Sequence, residues 1–268
     1  MKTNNILTVI KGVIIGGTML VPGVSGGSMA MTLGIYNELI TSISTIRRMK
    51  RQNIIFLALF ILGAAVGMLI FANPILALID RYPKPTIFFF LGAVAGAVPM
   101  IYRHSKVTTL RPKHVVYIAF GVLTMILMSF IPTDLIHTSS ENGFLWFLLL
   151  LVAGFISAVA FILPGISFSY FLLLLGLYDA TMTAIGEMDV MFLLPLVLGL
   201  AIGILVSARV LDRFMKVYPH ATYLIILGFV VGSLIEAFPG VPRGIEWLTC
   251  ILTASTGFAA IFLMSRKD

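Results

Sequence analysis

The chain has 268 residues, of which 59% are hydrophobic and only 11% are charged. Soluble domains contain roughly 25% charged residues, so this composition excludes a soluble protein and indicates an integral membrane protein. The formal net charge is +7, but the basic residues flank apolar segments without interleaved aromatic residues, which favours lipid headgroups over nucleic acid as their partners.

Ten apolar segments follow one another along the chain. The first begins close to the N-terminus, but no small-residue cleavage site follows it, so we predict a retained segment rather than a signal peptide. In chain order the segments are residues 6–21, 29–43, 54–79, 86–101, 115–131, 144–163, 168–185, 192–211, 222–238 and 247–264.

A short motif inside this apolar sequence occurs twice. The first motif is Pro-Gly-Val-Ser at residues 22–25, and the second motif is Pro-Gly-Ile-Ser at residues 164–167. Proline and glycine interrupt helices, so each motif breaks a helix where backbone groups cannot easily reach bulk water. A Gly-x-Tyr sequence follows each motif, at Gly34 and Tyr36 in the first copy and at Gly176 and Tyr178 in the second.

Other residues recur in the same order, which indicates an internal duplication. The motifs are related by a shift of 142 residues and the other residues by a shift of 136, a difference that one loop between them absorbs. We predict one membrane domain built from two halves, residues 1–135 and 136–268. The recurring residues are Gly63, Gly67, Tyr82, Pro83, Thr86, Gly92 and Gly96, which return as Gly199, Gly203, Tyr218, Pro219, Thr222, Gly228 and Gly232.

Two of the repeated features are glycine pairs spaced by four residues. Gly63 with Gly67, and Gly92 with Gly96, place small residues one helical turn apart. Helices in lipid approach each other closely at such positions. The sequence therefore predicts tight helix contacts at these pairs and at their counterparts in the second half.

Charges between the apolar segments predict the orientation of the chain. Lys and Arg collect in four segments that we predict to be cytoplasmic, and two connections with Asp and Glu but no Lys or Arg are predicted to lie outside. This alternation requires each motif segment to return to the side from which it entered, so both termini are predicted to be cytoplasmic. Three crossings per half then invert the second half relative to the first. The basic segments are residues 47–51, 103–114, 209–216 and 266–267, and the acidic ones are 132–143 and 179–189.

The motif segments are compatible with two arrangements. The apolar segments beside the first motif have 16 and 15 residues, fewer than the roughly 20 that span a bilayer. We therefore predict an all-α protein with an inverted-topology internal repeat, in which each half has one re-entrant broken-helix hairpin and three transmembrane helices. The hairpin tips are placed at residues 22–28 and 164–170. Ten full crossings are the alternative.

The start of the helix after each motif is a candidate anion site. Unpaired N–H groups and the positive end of a helix dipole attract anions, and glycine allows a phosphate to approach the backbone. Serine hydroxyls, and Tyr170 at the second tip, add donors. A kinked helix capped by serine is the alternative. The candidate substrate-binding residues are Gly23, Ser25, Gly26, Gly27 and Ser28 in the first copy and Gly165, Ser167 and Ser169 in the second.

Three charged residues are further candidates. Glu38 has Ala180 as its counterpart in the second half and is a candidate carrier of a coupling proton or sodium ion, with pairing to the basic segment 47–51 as the alternative. Arg209 is a candidate for phosphate binding, and snorkelling to the interface is its alternative. Arg81 is a candidate for headgroup binding at the outer end of its helix, and a residue that only marks the border of the membrane is its alternative.

Signatures of catalysis are missing from the sequence. No HExxH, Walker or GxSxG arrangement occurs, and Cys250 is the single cysteine. We therefore predict neither an enzyme nor a resident metal or cofactor.

The paired motifs, together with Ser-Met-Ala-Met-Thr-Leu-Gly-Ile-Tyr-Asn-Glu at residues 28–38, resemble the bacterial polyprenyl-phosphate transporter family over nearly the whole chain. In the second motif Phe168 occupies the position that Gly26 has in the first. The resemblance implies translocation of undecaprenyl phosphate from the outer to the cytoplasmic leaflet of the bacterial plasma membrane, which recycles the lipid carrier of cell-wall assembly. Alternating access coupled to a cation gradient is expected. A membrane undecaprenyl-diphosphate phosphatase and a small-anion permease are the alternatives.

Overall fold

The computed structural model describes residues 4–19, 21, 24–48, 50–109, 111–131 and 143–265, and within these ranges the protein is all-helical. Twelve α-helices and one short 3-10 helix follow each other without a strand in the described ranges. The helices are α1 (Asn5–Thr18), α2 (Gly26–Thr32), α3 (Tyr36–Ser44), α4 (Arg51–Arg81), α5 (Pro83–His104), α6 (Pro112–Ser129), α7 (Phe144–Ile162), α8 (Phe168–Leu174), α9 (Tyr178–Glu187), α10 (Val190–Val217), α11 (Pro219–Glu236) and α12 (Glu246–Ser265), with the 3-10 helix at Ile46–Arg48 between α3 and α4.

Seven of these helices are long and apolar enough to cross a membrane. They are α4, α5, α6, α7, α10, α11 and α12, and the bent pair formed by α8 and α9 gives an eighth candidate if the pair is one span. Many large apolar side chains on these helices are exposed, as expected for a surface that faces lipid. The chain is a multi-pass membrane protein.

Four parallel helix pairs make up most of the structure: α1 with α4, α7 with α10, α5 with α12, and α6 with α11. The direction follows from the register, because Gly63 faces Val9 and Gly67 faces Val13, so both helices advance together. Each half contributes one helix to the α5–α12 pair and one to the α6–α11 pair. The two halves are therefore interlocked rather than placed side by side.

The predicted glycine contacts are confirmed in all four pairs. A β-carbon at any of these glycines would come closer to the facing helix than real β-carbons do, so only glycine permits the observed approach. The glycines and the residues they face are Gly63 and Gly67 with Val9 and Val13, Gly199 and Gly203 with Leu151 and Phe155, Gly92 and Gly96 with Ala254 and Phe258, and Gly228 and Gly232 with Ile118 and Met125.

The helix after each motif is shorter than its apolar segment. Residues 29–43 and 168–185 each look continuous in sequence, but the structure breaks them at Gly34 and Gly176, both with φ of 67°. A residue in this left-handed region stops an α-helix, and glycine adopts it without a steric penalty. The repeated Gly-x-Tyr sequence is therefore a second helix break in each half.

The helix contacts make a prediction about stability. In Gly199→Ala the new β-carbon would overlap the Leu151 carbonyl oxygen, so α7 and α10 must separate, at a cost of about 1–3 kcal/mol. We expect a lower midpoint of thermal unfolding, measured by circular dichroism on the purified protein in detergent.

Gly186→Ala is the matched control, because a β-carbon at Gly186 in α9 meets nothing within 4 Å. This variant should unfold at or slightly above the wild-type midpoint, because alanine favours a helix more than glycine does. Equal shifts in both variants would contradict the assignment of the α7–α10 contact to Gly199.

Candidate functional site at the two helix breaks and the basic end

The two motifs are in direct contact although 140 residues separate the atoms that meet. The backbone N–H of Gly165 donates a hydrogen bond to Ser25 Oγ at 2.9 Å. Beside it, a β-carbon on Gly27 would lie 3.1 Å from the Cα of Pro164. The structure thus brings Ser25, Gly27 and Gly165 together, while Pro22 and Gly23 of the first motif lie outside the described residues.

Ser25 organises the start of α2. Its side chain occupies the N-cap position and accepts the backbone N–H of Ser28 at 3.1 Å, which confirms that the helix starts next to Ser25. The Ser25 hydroxyl donates to Ser28 Oγ at 2.8 Å. Since a serine hydroxyl has one proton, Ser25 has no donor left for another ligand in this conformation.

The second motif uses its polar groups differently. Gly165 has φ of 91° and packs against the backbone carbonyl of Phe229 in α11. Ser167 stands at the N-cap position of α8 but makes no side-chain cap hydrogen bond. Ser169 is exposed, and Tyr170, which we expected at the tip, instead donates to the Met128 carbonyl of α6 at 2.7 Å. The two motifs are therefore not chemically equivalent.

The start of α3 binds the residues just before the second motif. Tyr36 is 2% exposed, and its hydroxyl donates to the Ile162 carbonyl at 2.6 Å. This carbonyl lies at the end of α7, where the last acceptors of a helix have no partner within the helix. Next to it, Tyr223 of α11 donates to Asn37 Oδ1 at 2.8 Å. From the sequence alone, Tyr36 was identified only as part of the repeated Gly-x-Tyr sequence, and the roles of Asn37 and Tyr223 were missed.

An open cavity of about 580 Å³ lies beside Asn37 and Tyr223, and we call it the basic cavity. Its charged lining comes from the ends of α5 and α10, where the sequence predicted clustered basic residues. The lining residues are Asn37, Met100, Arg103, His104, Lys106, Met215, Lys216, Pro219 and Tyr223. Basic residues from distant parts of the chain thus meet at one end of the helix bundle, which we call the basic end.

A buried carboxylate at the same end ties α3 to α10. Asp212 is 9% exposed and accepts hydrogen bonds from Thr41 Oγ1 at 2.9 Å, Ser44 Oγ at 3.1 Å and Lys216 Nζ at 2.7 Å. From the sequence alone, position 212 was included in the basic segment 209–216, and no role was assigned to Asp212. The signal available in the sequence was Lys216 one helical turn later, a spacing at which opposite charges pair.

Arg209 lies one turn before Asp212 in α10. Its Nε donates to the Ser44 carbonyl at 3.4 Å, so this arginine also joins α10 to the end of α3. Glu38 occupies the first turn of α3 and is half-buried.

Arg81 is far from this end of the bundle. It is exposed at the end of α4, with its guanidinium 5.7 Å from the centre of the Tyr82 ring. The 31 residues of α4 correspond to a length of about 45 Å, and Asn53 at the start of α4 donates to Thr45 at the basic end. The structure therefore separates Arg81 from Arg209.

Comparison with known proteins identifies relatives over most of the chain. A family model described as VCA0040-like, undecaprenyl phosphate translocase-like, matches residues 15–249. A protein of Staphylococcus aureus named polyprenyl-phosphate transporter is 32% identical, covering 97% of this chain and 96% of the relative. A protein of Vibrio cholerae with the same name is 28% identical, covering 89% of this chain and 79% of the relative. No solved structure matches the chain.

These matches agree with the resemblance carried by the paired motifs, and both relatives are named as transporters rather than enzymes. The chain belongs to the undecaprenyl phosphate translocase-like family.

Proposed function

We propose that this protein carries polyprenyl phosphate, with undecaprenyl phosphate as the natural substrate, from the outer to the cytoplasmic leaflet of the bacterial plasma membrane. Both relatives are named for transport of polyprenyl phosphate. Such transport returns the lipid carrier to the side where cell-wall precursors are assembled. The protein acts by alternating access rather than by hydrolysis.

The contact between the two motifs is the observation that carries this proposal. A phosphate headgroup loses most of its hydration in hydrocarbon at a large cost, whereas a polyprenyl tail stays in lipid. A carrier therefore needs a polar route for the headgroup alone. The Ser25–Gly165 contact places polar groups from both halves at one point inside the bundle.

The present conformation is closed at this point. The cavity that Ser28 shares with Ser233 has a volume of about 10 Å³, enough for about one water molecule and too small for a phosphate. When the motifs separate, the Gly165 N–H loses its acceptor, Ser25 Oγ, whereas the bonds between Ser25 and Ser28 lie within the first motif and remain. A phosphate oxygen then replaces Ser25 Oγ as the acceptor for the Gly165 N–H. The other proposed binding residues are Gly23, Gly26, Gly27, Ser167 and Ser169.

An inverted repeat accounts for the helix contacts. The end of α3 lies next to the start of α4, because Asn53 donates to Thr45. The end of α10 lies there as well, since Asp212 accepts from Thr41 and Ser44. Helix α4 thus starts where its counterpart α10 ends, as expected for halves 1–135 and 136–268 with opposite topology.

The proposed re-entrant hairpins have the same kind of support. Helix α1 runs parallel to α4, and the chain returns through α2 and α3 to the level at which α4 starts. In the second half α7 runs parallel to α10, and the rings of Trp146 and Phe192 meet at the starts of these two helices. In both halves the segment begins and ends on the same side.

We assign the basic end to the cytoplasm, with both termini on that side, because clustered Lys and Arg are retained there. The basic cavity then opens to the cytoplasm while the motif contact is closed. On this assignment, a headgroup would leave the present conformation on the cytoplasmic side.

Net inward transfer needs a compensating charge. Moving one negative charge toward a negative interior costs about 2.3 kcal/mol per 100 mV. A proton or sodium ion that moves with the lipid removes this cost. Glu38 is the proposed carrier of that ion, because it is a half-buried carboxylate two residues after Tyr36, whose hydroxyl contacts the second motif segment.

Ser25→Ala tests the role of the motif contact. The variant loses the N-cap of α2 and the acceptor for Gly165, and we expect leaflet transfer to slow at least ten-fold. Transfer is measured in proteoliposomes with a labelled polyprenyl phosphate, using a soluble phosphatase outside that cleaves only headgroups in the outer leaflet.

Ser129→Ala is the matched control for Ser25→Ala, because Ser129 is exposed at the end of α6 and its hydroxyl donates to the Ile126 carbonyl of the same helix. Its transfer rate should fall much less.

The same vesicles without added phosphatase should release no phosphate from polyprenyl diphosphate, and vesicles loaded with inorganic phosphate should retain it. Hydrolysis of the diphosphate by the protein itself would identify a phosphatase, and leakage of inorganic phosphate would identify a permease. Either result would contradict the proposed carrier.

Glu38→Gln tests the coupling. We expect the variant to lose the dependence of transfer on an imposed pH or sodium gradient. At neutral pH an amide neither takes up a proton nor carries the negative charge that attracts a sodium ion. Transfer without a gradient should continue in both directions. An unchanged gradient dependence would show that Glu38 does not carry the ion.

A further inference from the structure

A second pocket lies at the basic end, between the end of α3 and the end of α10. Its volume is about 380 Å³, within the range of sites that bind small ligands. We call it the arginine pocket. Its lining residues are Ser44, Thr45, Arg47, Arg48, Arg209, Asp212 and Lys216.

The charge of this pocket is strongly unbalanced. Asp212 is its single acidic lining residue, and the carboxylate is already bound by Lys216 and two hydroxyls. Within the described ranges no carboxylate forms a salt bridge with Arg47, Arg48 or Arg209. Three guanidinium groups therefore surround a space whose only acid is neutralised.

Arg209 carries an unsatisfied donor beside this space. Its Nη2 atom is buried and has no hydrogen-bond partner among the residues that the structure describes, while Nε makes one long bond to the Ser44 carbonyl. A buried charged donor without an acceptor is costly, and most such groups in proteins have a partner. An oxyanion has the acceptor oxygen atoms that could pair with Nη2 of Arg209.

Ordinary snorkelling does not explain Arg209. A snorkelling arginine extends its guanidinium into water, whereas Nη2 of Arg209 is buried. Arg213, one turn further along α10, is exposed and shows the behaviour that snorkelling predicts. The two arginines on one helix are therefore in different environments.

We propose that the arginine pocket binds a phosphate monoester. Guanidinium groups bind phosphate oxygens in pairs, and several arginines match the charge of a monoester better than that of a carboxylate. Lys216 borders both this pocket and the basic cavity, so the pocket would hold the phosphate group next to that cavity. The inference rests on the proposed function for the identity of the ligand as a lipid headgroup.

Binding to the purified full-length protein in detergent tests this site. The probes are farnesyl phosphate, farnesol and inorganic phosphate, and the binding of each is measured by isothermal titration calorimetry. We expect farnesyl phosphate to bind and farnesol to bind at least ten-fold more weakly. Arg209→Gln should raise the Kd for farnesyl phosphate at least ten-fold, whereas Arg213→Gln should leave it within two-fold.

A double variant, Arg47→Gln with Arg48→Gln, tests the pocket independently of whether Arg209→Gln folds. Both residues are exposed, so their substitution leaves the core intact and should also raise the Kd. Inorganic phosphate that competes at a similar Kd identifies free phosphate as the ligand, and failure to compete identifies the lipid headgroup. Either result supports a phosphate site in this pocket.

An unchanged Kd in both the Arg209 variant and the double variant overturns the proposal, as does an equal change in Arg213→Gln. Failure of the arginine-pocket proposal is distinguishable from failure of the proposed function. Wild-type protein that binds farnesyl phosphate through Arg209 but exchanges no lipid between leaflets refutes transport and leaves the pocket intact. Normal leaflet exchange with Arg209-independent binding refutes the pocket alone.

Discussion

The hydrogen bond from the Gly165 N–H to Ser25 Oγ answers the main physical constraint on this fold. A helix that breaks inside a membrane exposes backbone donors and acceptors that lipid cannot satisfy. Here the first break supplies an acceptor for a backbone N–H of the second, and the Tyr36 hydroxyl supplies a donor for the Ile162 carbonyl at the end of α7. The two breaks are tolerated because they meet, and the polar groups they collect are the ones that a headgroup needs.

Close helix packing holds this contact in place. Glycines allow the four parallel pairs to pack backbone against backbone, so the helices around the motifs form a rigid frame. Polar contacts then connect α3 to that frame. Asp212 and Arg209 join α10 to the end of α3, and Tyr223 joins α11 to its start through Asn37. A movement of α3 would therefore reach the motifs and the basic end together.

The sequence predicted the features that depend on local chemistry or on repetition. The start of α2 at Ser25, the helical membrane architecture and the glycine contacts all followed from residue type and spacing. The break at Gly34 was missed because an apolar segment without proline looks like one helix. The contacts of Asp212 with Thr41 and Ser44, and of Tyr36 with the Ile162 carbonyl, were missed because the partners lie more than 100 residues apart, where no local pattern reports them.

The interlocked pairing also constrains how the protein is made. Helix α5 packs on α12, and α6 packs on α11, so neither helix of the first half has its partner when the ribosome finishes that half. Until α11 and α12 have been synthesised, the glycine-lined faces of α5 and α6 must be shielded by lipid or by an insertase. Two of the four helix pairs can therefore assemble only after helices of the second half have entered the membrane.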